Sequence, residues 1–369
     1  MTNISPITQS KHFHLTKSNT FFKPITTQVP THFITKSRTP FPNLVIKAQS
    51  SIKAQINPSP RPPLVVVGSA NADIYVEIDR LPLAGETISA KTGQTLAGGK
   101  GANQAVCSGK LDYPTLFVGQ VGDDAHGKLI VSALMDGGVG VDYLRVVWDV
   151  PTGHAVVMLQ PDGQNSIIIV GGANMSCWPE RLGEGGLEVV RSAGIVLLQR
   201  EIPDSVNIQV AKEANMSGVP VILDAGGADG PVPSELLKYV DILSPNETEL
   251  ARLTGLPTEN FDQIREAVVK CHELGVDKVL VKLGAKGSAL FIKGEEPIKQ
   301  PIISASKVLD TTGAGDTFTA AFAIALVEGK SQKECMKFAA AAASLCVQVK
   351  GAIPSMPDRK SVLDLLQSV

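Results

Sequence analysis

Short, mostly apolar runs recur along the chain and are separated by segments of helix length; the first of them is wholly apolar. The runs lie at 64–68, 116–119, 195–199, 219–224, 241–244 and 279–284. Runs without polar alternation are typical of parallel strands that are covered on both faces. Because helix-length segments such as 125–135 separate these strands, the pattern predicts an α/β fold with a doubly wound, mostly parallel sheet.

A second pattern, strand alternation without intervening helices, covers residues 74–97 and 152–170. In the second range, two hairpin-like strands at 155–160 and 166–170 are joined by the turn Pro161-Asp162-Gly163-Gln164. Together the two ranges predict a small four-stranded β-sheet lid over the carboxyl edge of the main sheet. A lid with an exposed edge favours pairing with a second copy, so a homodimer through the lid is expected.

Two glycines in three residues precede an alanine-rich apolar segment that ends at Gly329, which predicts a loop opening a buried helix. The backbone amides of Gly313, Ala314 and Gly315 would lie at the helix N-terminus, where they attract an anion. A carboxylate at Asp316 would repel a bound phosphate unless it has a proton to remove. The combination predicts phosphoryl transfer with Asp316 as general base. The alternative is a helix-capping aspartate.

Polar residues cluster where predicted strands end. Asn71 and Asp73 follow the first strand, and the sequence Gly98-Gly99-Lys100-Gly101-Ala102-Asn103 leads into a helix. Open α/β sheets bind ligands at the carboxyl ends of their strands. Three glycines around a lysine allow backbone and side chain to close on a polar ligand. A tight structural turn is the alternative.

Charge is distributed unevenly along the 369 residues. All 36 acidic residues lie from Asp73 onward, together with 26 of the 34 lysines and arginines, so the body of the chain is acidic and nucleic acid is not expected as a partner. There is no run of 18 apolar residues, so no membrane span is expected. The five cysteines lack metal-ligand spacing, which favours reduced thiols.

The N-terminal region differs in composition from the rest. Residues 1–48 are rich in Ser, Thr, Pro and Lys, have no acidic residue, and predict a disordered transit peptide. The small number of arginines favours the plastid stroma over the mitochondrion, and the alternative is a tail of a cytoplasmic protein. Residues 49–62 are interpreted as a linker, with the folded domain at 63–369.

Two segments approach the P-loop pattern without matching it. After 122–128, Leu129 replaces the Ser or Thr that would hold magnesium, and in 324–331 Ile324 replaces the first glycine. Both are interpreted as structural turns. No Gly-x-Gly-x-x-Gly follows the first strand, which disfavours a dinucleotide oxidoreductase.

The chain from about Leu64 onward resembles the PfkB carbohydrate kinase family. The segment 98–103 is similar to the first family signature in the form typical of members that phosphorylate ribose, 310–321 to the second, and 244–249 to the Asn-x-x-Glu motif. The resemblance implies a ribokinase-like fold and ATP-dependent phosphorylation of D-ribose at its 5-hydroxyl. Other sugar or nucleoside kinases of the family, fructokinase-like ones included, and a non-catalytic plastid scaffold remain alternatives.

The resemblance also implies roles for individual residues. Ribose would be held by Asn71, Asp73, Gly99, Lys100, Asn103, Glu201 and Asp316. ATP would contact Asn246, Lys282, Gly284, Gly287 and Gly315. Glu249 would organise Mg²⁺ through water, and a monovalent cation, K⁺, would be held at Asp310, Thr312, Gly351 and Ser355.

Three positions depart from the family pattern. Lys282 replaces a threonine at the edge of the ATP site, and Ala340 stands where a histidine near adenine is common. Arg200, before Glu201, is charged where an apolar residue is frequent. The first two leave the nucleotide preference open.

Overall fold

A computed structural model describes residues 61–161, 165–228 and 230–369. The predicted transit peptide at 1–48, and all but the last two residues of the predicted linker, lie outside these ranges. Of those two, Arg61 forms an ion pair with Glu328 at 3.4 Å, and the Pro62 carbonyl accepts a hydrogen bond from the Tyr113 hydroxyl. Arg61 and Pro62, the first two described residues, are therefore already in contact with the folded domain.

Strands and helices alternate over most of the described chain. The strands are β1 Leu64–Val67, β2 Asn71–Glu77, β3 Thr92–Gly98, β4 Thr115–Gly122, β5 Val139–Val147, β6 Gly153–Leu159, β7 Asn165–Val170, β8 Ile195–Leu198, β9 Val221–Asp224, β10 Ile242–Ser244, β11 Lys278–Lys282, β12 Ser288–Ile292 and β13 Ile298–Gln300. The helices are α1 Lys100–Lys110, α2 Ala125–Asp136, α3 Glu184–Arg191, α4 Asp204–Met216, α5 Ser234–Leu237, α6 Glu247–Thr254, α7 Phe261–Glu273, α8 Ala314–Val327, α9 Gln332–Cys346, α10 Ala352–Ser355 and α11 Arg359–Gln367.

Nine strands form the main sheet in the order β13-β12-β11-β10-β9-β8-β1-β4-β5. The seven from β11 to β5 are parallel, whereas β12 and β13 pair antiparallel at one edge. The predicted fold class, a mostly parallel doubly wound sheet, is confirmed. Strands β5, β12 and β13 were not predicted from the sequence.

The period of two in β1 explains why the sheet has a core on each face. Leu64 and Val66 join one buried cluster with residues of α1, α2, α8 and α9, whereas Val65 and Val67 join a second cluster with α3, α4, α6 and α7. Since successive side chains of a strand point to opposite faces, one apolar run supplies both layers.

The predicted four-stranded lid is also confirmed. Its order is β3-β2-β6-β7, with β2 and β6 parallel and the outer pairs antiparallel. It begins at Asn71, three residues earlier than predicted. Its strand β7 carries four exposed apolar side chains in a row, at Ile167, Ile168, Ile169 and Val170.

The P-loop look-alikes are turns that cap helices. The Asp124 carboxylate accepts a hydrogen bond from the Gly127 amide at 2.7 Å and caps α2. Ser331 caps α9 in a capping box with Glu334.

Within the described ranges, no helix is both long and apolar enough to cross a membrane. Four of the cysteines are buried, and Cys177 is exposed.

Candidate active site

The glycine loop lies where the sequence predicted it, at the N-terminus of α8. Gly313 precedes the helix with a left-handed φ of 78°, and a Cβ there would lie 3.0 Å from the Cβ of Ala352. Glycine is therefore required for this backbone conformation. The Ala314 amide donates to the Thr311 carbonyl at 3.2 Å.

Asp316 is the third residue of α8, and its side chain is 6% exposed. The Asn103 Nδ2 donates to Oδ2 at 2.9 Å, and the Gln104 Nε2 donates to Oδ1 at 3.2 Å. The Lys100 Nζ lies 3.7 Å from Oδ1. Because α1 rather than α8 supplies these partners, and Gly313 is the N-cap residue, the helix-cap interpretation of Asp316 is wrong.

Helix α1 can supply three partners because of its own periodicity. Lys100, Asn103 and Gln104 are the first, fourth and fifth residues of α1, so they lie on one face. Gln104, which the sequence analysis did not single out, is fixed by the Gln199 Nε2 donating to its Oε1 at 2.7 Å. Gln104 therefore orients the carboxylate of Asp316 from a rigid position.

The predicted sugar-binding residues surround this carboxylate. Glu201 follows β8, and its Oε2 accepts hydrogen bonds from the Ser69 Oγ at 2.6 Å and the Lys100 amide at 3.0 Å. Asn71 Oδ1 accepts a hydrogen bond from the Asn174 Nδ2 at 2.6 Å. Asn174 was not predicted, because a single asparagine after a Gly-Gly pair carries no recognisable pattern.

Asp73 projects from β2 into the same cluster. A Cβ on Gly98 would lie 2.0 Å from its Oδ2, and a Cβ on Gly99, where φ is 89°, would lie 2.7 Å from the Asn71 amide. The two glycines thus allow the lid strands to close around polar groups. Burial, then the charges of Glu201 and Asp316, raise the pKa of Asp73 to about 7.

A buried ion network lies behind Asp316 and was missed from the sequence. Asp224, at the end of β9, is fully buried and contacts the Lys282 Nζ at 2.6 Å and the Lys100 Nζ at 3.7 Å. Burial by itself raises the pKa of Asp224, but the two ammonium groups lower it to about 2. The only sequence signal was its place at the carboxyl end of a strand.

A cleft of about 610 Å³ opens beside the glycine loop. All five residues predicted to contact ATP line it: Asn246, Lys282, Gly284, Gly287 and Gly315. Its lining includes the charged residues Lys100, Glu249 and Asp316, and apolar residues including Ile303, Phe318 and Ala340. A cleft lined by both charged and apolar side chains suits a polyphosphate joined to a base.

The Asn-x-x-Glu motif acts locally as a capping box for α6. Asn246 Oδ1 accepts a hydrogen bond from the Glu249 amide at 2.8 Å, and Glu249 Oε2 accepts one from the Asn246 amide at 2.7 Å. The motif thereby fixes the Glu249 carboxylate at the cleft wall. Among the residues that the structure describes, no group of three or more His, Cys, Asp or Glu side chains could hold a metal ion.

The four residues predicted for a monovalent cation lie on two segments that meet. Asp310 Oδ1 accepts a hydrogen bond from the Thr312 amide, and Oδ2 accepts one from the Gly351 amide, each at 2.8 Å. Ser355 Oγ donates to the Ala352 carbonyl at 2.7 Å. The Asp310 carboxylate therefore joins the loop before α8 to the loop before α10.

The unusual Arg200 has a structural partner outside the sugar cluster. Its guanidinium is paired with Asp204, at 2.7 Å, and donates to the carbonyls of Gly230 and Pro231. The buried charge is thus compensated within its own surroundings. It does not change the set of residues around Asp316.

Residues 62–359 match the family described as pfkB family carbohydrate kinase. The chain belongs to the pfkB carbohydrate kinase family. Its resemblance to that family, drawn from three motifs, is therefore confirmed. The motifs lie together in space: the Asn-x-x-Glu motif and both glycine-containing signatures border the same cleft.

Individual relatives agree over nearly the same span. A ribokinase of Arabidopsis thaliana is 76% identical over 308 residues, which are 83% of this chain and 81% of the relative. A ribokinase of Bacillus subtilis is 38% identical over 303 residues, 82% of this chain and 99% of the relative. The solved structure of Arabidopsis thaliana ribokinase complexed with ribose and ATP has a TM-score of 0.81 and 75% identity, covering 83% of this chain and 99% of that one.

Proposed function

We infer that this protein transfers the γ-phosphoryl group of ATP to the 5-hydroxyl of D-ribose, giving D-ribose 5-phosphate and ADP. The observation that carries this is the position of Asp316, between the helix N-terminus at Gly313–Gly315 and the polar cluster of Asn71, Asp73 and Glu201. The ribokinase relatives, one of them solved with ribose and ATP, support the same choice of substrates.

In the proposed reaction, Asp316 takes the proton of the sugar hydroxyl. The hydroxyl oxygen then forms a bond to the γ-phosphorus while the bond from that phosphorus to the β-phosphate oxygen breaks, and ADP leaves with the electron pair. Asn103 and Gln104 hold the carboxylate in place, so its reacting geometry is set in advance. The amides of Gly313, Ala314 and Gly315 face the charge that develops on the phosphoryl oxygens.

Ribose is proposed to lie under the lid. Asn71, Asp73 and Glu201 offer amide and carboxylate groups that each can pair with neighbouring hydroxyls, while Lys100 and Asn103 reach from α1. The backbone at Gly99, which lies close to the Asn71 amide, completes the proposed ribose site. Such groups suit a small polyol, because they offer many hydrogen-bond donors and acceptors and little apolar surface.

ATP is proposed to occupy the 610 Å³ cleft, with its phosphates toward Gly315 and its base among the apolar side chains. Magnesium bound with ATP would offset the charge of the phosphates. Glu249 fits a water-mediated role, because one of its oxygens is held by the Asn246 amide and no described acidic cluster would bind the ion directly.

Potassium activation is proposed at Asp310, Thr312, Gly351 and Ser355. Both Asp310 carboxylate oxygens already accept hydrogen bonds from backbone amides. The carboxylate would therefore contribute its negative charge to the site and hold the two loops together. Loop carbonyls would then supply the oxygen ligands that a large monovalent ion prefers. An ion there would fix the loop that carries Gly313.

A homodimer through the lid is also proposed. Side chains Ile167, Ile168 and Ile169 are each more than half exposed although they are consecutive on an edge strand. A row of exposed apolar side chains on an open sheet edge is typical of an association surface.

We further propose that residues 1–48 direct the protein to the plastid stroma. Import assays with a reporter fused to that segment can test this proposal.

A substrate comparison tests the proposed function. The full chain, ATP and magnesium are incubated with D-ribose, 2-deoxyribose, fructose or adenosine, and the phosphorylated products are identified by mass and ³¹P NMR. The greatest kcat/KM should be found with D-ribose and phosphorylation at O5. A preference for fructose or adenosine would assign the chain to another kinase of its family, and binding without turnover would favour a scaffold.

A further inference from the structure

Lys282 and Asp224 form a buried ion pair at the carboxyl edge of the main sheet. They end strands β11 and β9, which lie on either side of β10, so their side chains meet across one strand. The Lys282 Nζ is 2.6 Å from Asp224 Oδ2, and the side chains are 12% and 0% exposed. The more exposed member is therefore the lysine.

The two partners differ in how firmly they are held. Asp224 Oδ1 accepts the Gly226 amide at 3.0 Å, and Oδ2 accepts the Thr319 Oγ1 at 3.3 Å, so its orientation is fixed by three contacts including Lys282. The ammonium group of Lys282 ends a flexible four-carbon chain. If the ion pair separates, we therefore expect the lysine side chain to move and the carboxylate to stay in place.

Lys282 also borders the nucleotide cleft. Its Cδ and Nζ both lie 3.8 Å from the position that a Cβ on Gly315 would occupy. Gly315 belongs to the glycine loop where phosphoryl oxygens are proposed to bind. The ammonium group is thus already beside the place where negative charge arrives with ATP.

We propose that Lys282 exchanges Asp224 for an oxygen of the γ-phosphoryl group when ATP binds, and that Asp224 is the positioning residue that holds the lysine there beforehand. The proposal rests on the proposed function, because it assigns a role within the same phosphoryl transfer. A lysine on the transferring group would stabilise the charge that develops in the transition state.

Lys100 makes the exchange possible without leaving a buried charge uncompensated. Its Nζ is 3.7 Å from Asp224 Oδ1 and 3.7 Å from Asp316 Oδ1, so it is shared between the two carboxylates. When Lys282 turns to the phosphate, Asp224 keeps Lys100, the Gly226 amide and the Thr319 hydroxyl. A buried carboxylate that lost every cation would be strongly unfavourable.

The test separates nucleotide binding, turnover and stability in four variants of the full chain. These are Lys282→Met, Lys282→Arg, Asp224→Asn and the double variant Asp224→Asn/Lys282→Met. Lys278→Met is the matched control, because Lys278 begins the same strand at the opposite edge of the sheet. Binding of magnesium with ADP, and of magnesium with a non-hydrolysable ATP analogue, is measured by calorimetry without sugar.

For Lys282→Met we expect kcat with ribose to fall by about 10²–10³, the range for removing one charge-stabilising donor. Affinity for the ATP analogue should fall more than affinity for ADP, and the KM for ribose should change less than threefold. Lys282→Arg should recover part of kcat. The double variant should regain the thermal stability lost in Lys282→Met but keep its low kcat.

Two results would overturn the proposal. Wild-type kcat in the double variant would show that the pair only stabilises the fold, and equal effects on ADP and the ATP analogue would exclude contact with the γ-phosphoryl group. Because nucleotide binding is measured without sugar, a failure of ribose as substrate would leave this test intact. The proposed function and the role of Lys282 can therefore fail separately.

Discussion

Asp73 is the side chain whose protonation should couple most visibly to folding. Its pKa rises from an ordinary 3.8 to about 7 because of burial, Glu201 and Asp316. The folded protein therefore binds a proton that the unfolded chain has released between about pH 4 and pH 7. A group that binds more protons in the folded state makes stability fall as the pH rises through that window.

The size of the effect follows from the shift. Since each tenfold change in proton affinity corresponds to about 1.4 kcal/mol, the ionised side chain costs about 2–4 kcal/mol at pH 8, the lower figure allowing for partial solvent access. Asp73→Asn has no charge to bury. The difference in unfolding free energy, Asp73→Asn minus wild type, should therefore increase by about 1–3 kcal/mol from pH 5 to pH 8.

Urea unfolding followed by circular dichroism at pH 5, 6, 7 and 8 measures this difference. Asp277→Asn is the matched control, because that carboxylate is 74% exposed, and its difference from wild type should not vary over the series. A constant difference for Asp73→Asn would refute the reasoning. It would mean that the Asp73 carboxylate in the free protein is solvated well enough to remain ionised without cost.

Three further predictions concern the cation loop, the lid and a helix cap. Activity should rise when KCl replaces NaCl at constant ionic strength and saturating magnesium, and Asp310→Ala should remove that response; equal rates in both salts would contradict the cation site. Light scattering coupled to size exclusion should give a dimer at micromolar concentration, and Ile168→Lys should give a monomer, whereas a wild-type monomer would exclude the lid interface. Asp124→Ala should lose about 1–2 kcal/mol of unfolding free energy and keep its affinity for ATP, because Asp124 caps α2; a large loss of ATP affinity would contradict the interpretation of 122–128 as a structural turn.

The residues that the sequence revealed share a place in the fold. Parallel strands end at one edge of the sheet, so polar residues that follow separate apolar runs come together in space. Asn71 could be found for this reason, whereas Glu201 and Asn246, which also follow strands of this sheet, were assigned through the family resemblance. The glycines at 98, 99, 313 and 315 could be found because a close backbone approach leaves a local pattern.

The parts that were missed depend on contacts between distant segments. Gln104 lies beside Asn103 without a pattern of its own, and Asp224 is a single polar residue at the end of an apolar strand. Their roles appear only when α1, α8, β9 and β11 are brought together. Strand β5 has mixed exposure at the sheet edge, and β12 and β13 pair antiparallel after the parallel strands end. Edge strands carry a weaker periodic signal, because only part of their surface is covered.

The identity of the general base is the central claim, and turnover of Asp316→Asn tests it most directly. Asparagine retains the size of the side chain but cannot take the sugar proton. We predict that kcat falls by about 10²–10⁴, while calorimetry shows ribose affinity within threefold of wild type. Asp262→Asn, in the first turn of α7, is the control and should keep wild-type kcat. Near-normal turnover in Asp316→Asn would contradict the account.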